Sequence, residues 1–237
     1  MLDFDSIQAL SFDCYGTLID WEAGIALTLR PWVERHRADL SDDQLLETFA
    51  ACEPVAQENY PTAPYREILR MTHALMADRL NLPPDELDAD TFARSVGEWP
   101  SFPDSVEALA RLQQRFRLII LSNVDHQSFA GSQRQLQADF AAVVTAEDVG
   151  AYKPDHRMFE RLFEVSGELG IERDRLVHVA QSLYHDHAPA KELGMKTVWV
   201  DRRSGKSGSG ATRSVASSVT PDVTVTSLAE LADYVDE

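Results

Sequence analysis

The feature that most constrains this 237-residue chain is a strand–helix rhythm that is broken once, and early. Short apolar stretches that read as buried strands occur at 8–13 (QALSFD), 117–122 (RLIILS), 141–146 (AAVVTA), 175–180 (RLVHVA) and 196–200 (KTVWV), with a weaker one at 222–226 (DVTVT). Amphipathic segments of helical spacing, such as 105–116 and 156–169, lie between them. Apolar strands alternating with helices predict an α/β fold, a doubly wound parallel sheet covered on both faces. Residues 20–98 depart from this pattern and carry about four helical segments and no strand. We therefore expect a core domain of residues 1–19 and 99–237 interrupted by an all-helical cap of residues 20–98. Such an insert lies as a lid over the carboxyl edge of the sheet, where open α/β sheets place their ligands.

Composition narrows the partners. The chain has 39 acidic against 22 basic residues, a formal net charge of −17. Nucleic acid and anionic membranes would be repelled, so neither is expected as a partner. No apolar run approaches the 18 or so residues of a membrane helix, and the start carries no leader-peptide signature, so a cytoplasmic protein is expected. Cys14 and Cys52 make no disulfide framework and read as reduced, partly buried residues. The Gly/Ser-rich segment 204–218 contains Gly205-Lys206-Ser207, but Val200 stands where a phosphate loop needs its first glycine. It reads as a mobile surface loop.

Chemistry-bearing residues gather at the strand ends. The first strand delivers Asp13 to the sheet edge and Gly16 lets the backbone turn sharply. The second ends in Ser122 and Asn123. Lys153-Pro154 follows the third, and the fourth ends in Ser182, Tyr184, His185 and Asp186. Two carboxylates, one ammonium and several neutral donors thus converge on one edge, which packing alone does not account for.

These blocks, FDCYGTLID, ILSN, YKPDHRMF and SLYHD, resemble in order and spacing the haloacid dehalogenase (HAD) superfamily, and within it the type II 2-haloacid dehalogenase branch with a helical cap after the first motif. The resemblance implies a Rossmann-like core, Asp13 as nucleophile and Lys153 as its partner. An ammonium beside Asp13 is expected to lower its pKa and keep it ionised next to Asp186. Ser122 would hydrogen-bond the nucleophile or the substrate's carboxylate, the backbone of Cys14 and Tyr15 would add an anion cradle, and Ser182, Tyr184 and His185 would line the substrate site. A homodimer is expected by analogy with the branch.

Most members of the superfamily are magnesium phosphatases, which need an aspartate two residues after the nucleophile and an acidic residue early in the fourth motif. Those positions hold Tyr15 and the run Ala180-Gln181-Ser182. Magnesium prefers carboxylate oxygens, so no metal or other cofactor is expected. The branch that attacks carbon fits better: Asp13 would displace a leaving group from a small 2-substituted carboxylic acid, and water near Asp186 would hydrolyse the resulting ester.

The leaving group is less defined. Family dehalogenases hold the halide with an asparagine, matched by Asn123, and with a cap arginine whose ungapped position falls near Asn59; Arg66 and Arg70 come later. DCYGTLIDWE, WPSFPD, TAEDVGAYKP and SLYHDHAPA also resemble L-azetidine-2-carboxylate hydrolase, which opens a strained ring with an amine as leaving group. Two other outcomes stay open: a magnesium phosphatase, or a weakly active member that binds its ligand without turnover. Among neighbouring residues, His185 reads as pocket-lining, aspartate-orienting or packing, His187 as solvent-facing or helix-starting, Asp125 and His126 as a helix cap, and Trp21, Trp32 and Trp99 as packing at the cap boundary.

Overall fold

The computed structural model describes residues 2–205, 210–212 and 219–236. All six expected strands form: β1 (Ala9–Phe12), β2 (Arg117–Ser122), β3 (Phe140–Thr145), β4 (Leu176–Ala180), β5 (Lys196–Val200) and β6 (Val223–Val225). They make one sheet in the order β3-β2-β1-β4-β5-β6, every pair parallel. β1 and β4 are buried along their whole length, as strands covered on both faces require. The chain winds from β1 out to β3, then returns to β4 on the other side of β1. The winding reverses between β1 and β4, and their carboxyl ends bound the site.

Between β1 and β2 lie α1 (Trp21–Arg35), α2 (Asp42–Asn59), α3 (Tyr65–Leu80) and α4 (Glu86–Arg94). Their ends are set by local chemistry. Asp20 accepts from Ala23 N at 3.1 Å, Ser41 and Gln44 close a capping box, and Asn81 turns left-handed after α3. A Cβ at Gly24 would fall inside the Trp99 ring, so only glycine lets α1 press against the chain that returns from the insert. Trp32 and Trp99 are buried, as expected of packing residues.

The remaining helices, α5 (Ser105–Leu112), α6 (His126–Leu136), α7 (Ala146–Val149), α8 (His156–Glu168), α9 (Ala188–Glu192) and α10 (Leu228–Asp236), follow the strands, and a π-helical turn, Leu183–His187, precedes α9. Asp125 caps α6 as expected, accepting from Ser128 N at 2.8 Å. No helix among the described residues is long and apolar enough to cross a membrane. Lys206, Ser207 and most of the Gly/Ser-rich segment lie outside the described residues. Of the part that is described, Ser204 and Gly205 are exposed, whereas Ala211 is buried and Thr212 Oγ1 donates to Gln181 Oε1 at 3.1 Å.

Candidate active site

Asp13 leaves β1 with its N–H bonded to Val179 O at 3.0 Å, which ties this carboxylate's position to β4. The chain then closes a tight turn in which Thr17, Leu18 and Ile19 N–H groups bond to Cys14 O and Gly16 N bonds to Ile19 O. Gly16 adopts φ +94°, a conformation that L side chains rarely take. Thr17, brought back by this turn, donates its hydroxyl to Asp13 Oδ2 at 2.8 Å and accepts from Gln181 N at 2.9 Å.

Lys153 is the hub. Its buried Nζ donates to Asp13 Oδ1 at 2.8 Å, Asp186 Oδ1 at 2.7 Å and Leu121 O at 2.9 Å, so all three ammonium hydrogens are used. Asn123 clamps the Lys153 backbone: Lys153 N donates to Asn123 Oδ1 at 2.6 Å and Asn123 Nδ2 donates to Lys153 O at 3.1 Å. Beyond Asp186 the network continues inward. His178 Nε2 donates to Asp186 Oδ1 at 2.9 Å, and His178 Nδ1 shares a hydrogen bond with Ser11 Oγ, also at 2.9 Å. A buried charge is costly unless paired, and here one ammonium is shared between two buried carboxylates.

The two carboxylates are not equivalent. Burial raises the pKa of Asp13, and it outweighs the ammonium and the Thr17 hydroxyl while Asp186 adds to it, leaving Asp13 above the usual value. Lys153 does lower it, as expected, but by less than burial raises it. Burial acts on Asp186 too, but Lys153 and His178 together hold it well below the ordinary carboxylate range. A carboxylate of higher proton affinity is the better nucleophile.

Among the expected residues, Asp13, Tyr15, Ser122, Asn123, Lys153, Ser182, His185 and Asp186 line one cavity of ≈ 40 Å³. Two polar atoms there are buried without a hydrogen-bond partner among the described residues, Ser122 Oγ and Asp186 Oδ2. The Tyr15 ring lines the cavity while its hydroxyl lies 2.8 Å from Ser132 Oγ, and burial pushes that phenol well above 10. The Cys14 thiol is buried and pushed well above its usual pKa, first by burial and then by Asp13, so this residue contributes backbone only. Ser182 receives His185 N at 3.0 Å and faces His185 Nδ1 at 3.3 Å. Tyr184 departs from expectation: it stacks edge-on against His185 and lines a neighbouring cleft with Pro54, Gln57 and Tyr152, not the Asp13 cavity. The π-helical turn that carries these residues turns Asp186 inward.

The cap supplies the roof of the cavity, with Trp21, Glu53 and Tyr65 from α1, α2 and α3. Glu53 is 5% exposed, and its Oε1 accepts from Tyr65 OH and Gln57 Nε2, each at 3.0 Å. Burial pushes its carboxyl up to about 7. Neither Arg66 nor Arg70 reaches this cavity: Arg66 faces Asp125 at 3.6 Å, and Arg70 pairs with Glu67 and with Asp90.

With this geometry in hand, comparison with known proteins identifies the family. The profile of the haloacid dehalogenase-like hydrolases matches residues 7–194. The chain belongs to the haloacid dehalogenase-like hydrolase family. An (S)-2-haloacid dehalogenase of Pseudomonas sp. (strain YL) is 27% identical over 203 residues, 84% of each chain. A defluorinating L-2-haloacid dehalogenase superposes with a TM-score of 0.80 at 20% identity, covering 98% of this chain and 96% of that one. A HAD hydrolase of Bacillus subtilis bound to magnesium gives a TM-score of 0.75 at 19% identity, covering 98% and 99%. The fold of this haloacid dehalogenase-like hydrolase is therefore shared by a dehalogenase and by a hydrolase crystallised with magnesium, and fold alone does not assign a reaction.

Four residues of this family member escaped the sequence reading. Thr17 sits inside the first motif but looks like a turn residue. His178 is a polar residue in the middle of an apolar strand, a signal in itself. Glu53 and Tyr65 fall on the buried stripes of their helices, Glu53 beside Leu45, Phe49, Cys52 and Ala56, at positions that packing reserves for apolar side chains. Two further readings are corrected. Trp21 lines the site instead of only packing the boundary. His187 is buried, donates from Nε2 to Ala180 O at 2.9 Å and is lowered to about 4, chiefly by burial.

Proposed function

We propose that this protein is a metal-independent hydrolase that attacks carbon. Asp13 displaces a leaving group from the 2-carbon of a small carboxylic acid and forms an ester with it. Water then attacks the ester carbonyl, releasing a 2-hydroxy acid and regenerating Asp13. The observation that carries this reading is the position of Lys153 Nζ, bonded to both Asp13 and Asp186. With Asp13 Oδ1 and Asp186 Oδ1 both bonded to one ammonium, neither of these two oxygens is free for a divalent cation.

The donor set is also wrong for magnesium. The phenol of Tyr15 is engaged with Ser132 and Gln181 offers an amide in place of an acid, whereas magnesium prefers carboxylate oxygens. Ser122 Oγ is a hydrogen-bond donor for the substrate's carboxylate, helped by the turn backbone at Cys14 and Tyr15. Asp186 Oδ2, which has no partner among the described residues, accepts a hydrogen bond from the hydrolytic water and orients it. Asn123 acts by positioning Lys153. The size of the cavity limits the substrate to a few carbons.

Similarity to (S)-2-haloacid dehalogenases supports a halide as leaving group. A second reading, ring opening of the azetidine-2-carboxylate type, is favoured by the absence of any arginine from the described residues lining the cavity. Both use the same Asp13 step.

The test is turnover of 2-chloropropionate, fluoroacetate, azetidine-2-carboxylate and an aryl phosphate with chelator present, followed by a single turnover in ¹⁸O-labelled water. Label is expected in the peptide holding Asp13, because water enters at its carbonyl, and Asp13→Asn is expected to fold yet turn over nothing. A requirement for a divalent ion, or label that bypasses Asp13, sinks the reading.

A further inference from the structure

Displacement at carbon places the incoming and departing groups on opposite sides of the reacting atom. A group expelled by Asp13, on the floor of the cavity, therefore departs toward the cap. The roof it meets is Trp21, Glu53 and Tyr65. Lys153 is the one lysine, and no arginine appears, among the described residues lining the cavity, and all three Nζ hydrogens of Lys153 are committed to the floor. A halide leaving in this direction would find a carboxyl group where it needs a cation.

Glu53 is built to receive hydrogen bonds from a ligand. Tyr65 OH and Gln57 Nε2 both donate to Oε1 and fix the carboxyl group, while Oε2 has no partner among the described residues. We propose that Glu53 is the specificity-determining residue of this enzyme, holding the departing group as an ammonium through Oε2. This rests on the carbon-attack reading above and extends it from the floor to the cap. The probe class is a small cyclic 2-amino acid, whose carboxylate meets Ser122 and whose ring nitrogen meets Glu53. With the carboxyl poised at about 7 by burial, an arriving cation draws it into its ionised form.

The reaction balances without a co-reactant. Asp13 Oδ forms a bond to the 2-carbon as the bond from that carbon to the ring nitrogen breaks, with the electron pair passing to nitrogen. The opened amine stays beside Glu53. Water adds at the Asp13 carbonyl, the ester cleaves, and the proton set free is taken up by the amine. A cyclic ammonium acid and one water become a 2-hydroxy acid with a primary ammonium.

The experiment compares wild type with Glu53→Gln, which keeps the shape and the acceptor oxygen but cannot carry charge. Three quantities are read: ring opening of azetidine-2-carboxylate, binding of L-proline as an unstrained cyclic ligand, and mass-spectrometric labelling of Asp13 by 2-chloropropionate. Loss of a charged hydrogen bond predicts a fall on the order of 10- to 100-fold in ring opening and in proline affinity, with Asp13 labelling by the haloacid faster. Ring opening and proline binding at the wild-type level in the variant overturn the proposal, as does wild type that is labelled by chloropropionate yet neither binds proline nor opens azetidine-2-carboxylate. That last result leaves the Asp13 reading standing, whereas wild type labelled at Asp13 by no substrate refutes the underlying reading instead.

Discussion

The floor and the roof of this cavity are made in different ways. The floor draws Asp13, Ser122, Lys153 and Asp186 from the segments that end or follow four strands, and a single ammonium ties the two carboxylates and Leu121 O together with bonds of 2.7 to 2.9 Å. Behind it stand Thr17 and His178, so each carboxylate has a second donor. The roof draws on the starts of α1 and α3 and one stripe of α2, and its carboxyl group is raised to about 7. The floor is over-determined and the roof rests on a few side chains. On the proposed mechanism, the floor sets which bond-making step is available, and the roof sets what can be expelled. Changes to the floor should abolish chemistry on every substrate; changes to the roof should redistribute it.

The sharpest way to break this distinction is to remove the hub. Lys153→Met keeps the length of the side chain and deletes its charge, leaving two buried carboxylates without their shared counter-ion. We expect no labelling of Asp13 by any substrate and a loss of about 3–5 kcal/mol in folding stability by urea titration at neutral pH. A cost below about 1 kcal/mol would mean that the floor is not charge-balanced as its geometry implies.

The roof predicts an effect of opposite sign. The Glu53 carboxyl is raised from 4.5 to about 7 by burial, which outweighs the Tyr65 hydrogen bond. A raised acid holds its proton more tightly in the folded state. Its favourable contribution is therefore complete below pH 4.5 and is lost as pH rises through about 7. Between those limits and pH 8 this residue costs the wild type up to about 3 kcal/mol. Glu53→Gln has no proton to lose, so it should match wild type near pH 4.5 and exceed it by about 2–3 kcal/mol at pH 8 in thermal or urea melts. A variant less stable than wild type at both pH values would show that Glu53 belongs to the structural core and not to an adjustable roof.

How much of this was legible in the sequence follows the same division. The floor was readable because strand ends and turns leave strong local marks. Asp13 followed by Gly16, the Ser122-Asn123 pair and the Lys153-Pro154 step each combine an apolar run with a chemically costly residue at its end, and all six strands form where the apolar runs lie. The helices of the insert were readable for the same reason. The roof was not, because helical periodicity reports which face is buried but not what that face covers. Glu53 lies on the apolar stripe of α2, and its meaning depends on α2 being brought to the cavity that Asp13 lines, a long-range relation with no local mark. Thr17 and His178 were hidden differently: their partners, Asp13 and Asp186, come into reach only when the turn closes and the π-helical turn forms. The direction of the Asp13 shift was misjudged because a nearby ammonium can be inferred from motifs, while the degree of desolvation cannot.

The smallest effect comes from the layer behind the floor and tests whether that layer positions or merely packs. His178 donates to Asp186 Oδ1 and shares a bond with Ser11, and its ring lies edge-on to Phe159 with centroids 5.6 Å apart. His178→Phe keeps a flat ring in the space and removes the donor. Asp186 keeps Lys153, so the stability cost should be about 1–2 kcal/mol, the range for one buried partner lost. Asp13 and its ammonium are untouched, so ester formation should proceed near the wild-type rate. Hydrolysis depends on the orientation of Asp186 Oδ2 toward water, so the ester should accumulate on Asp13 and be visible as a trapped adduct by mass spectrometry. A merely structural residue would slow both steps together and leave no adduct; a positioning residue slows the second alone.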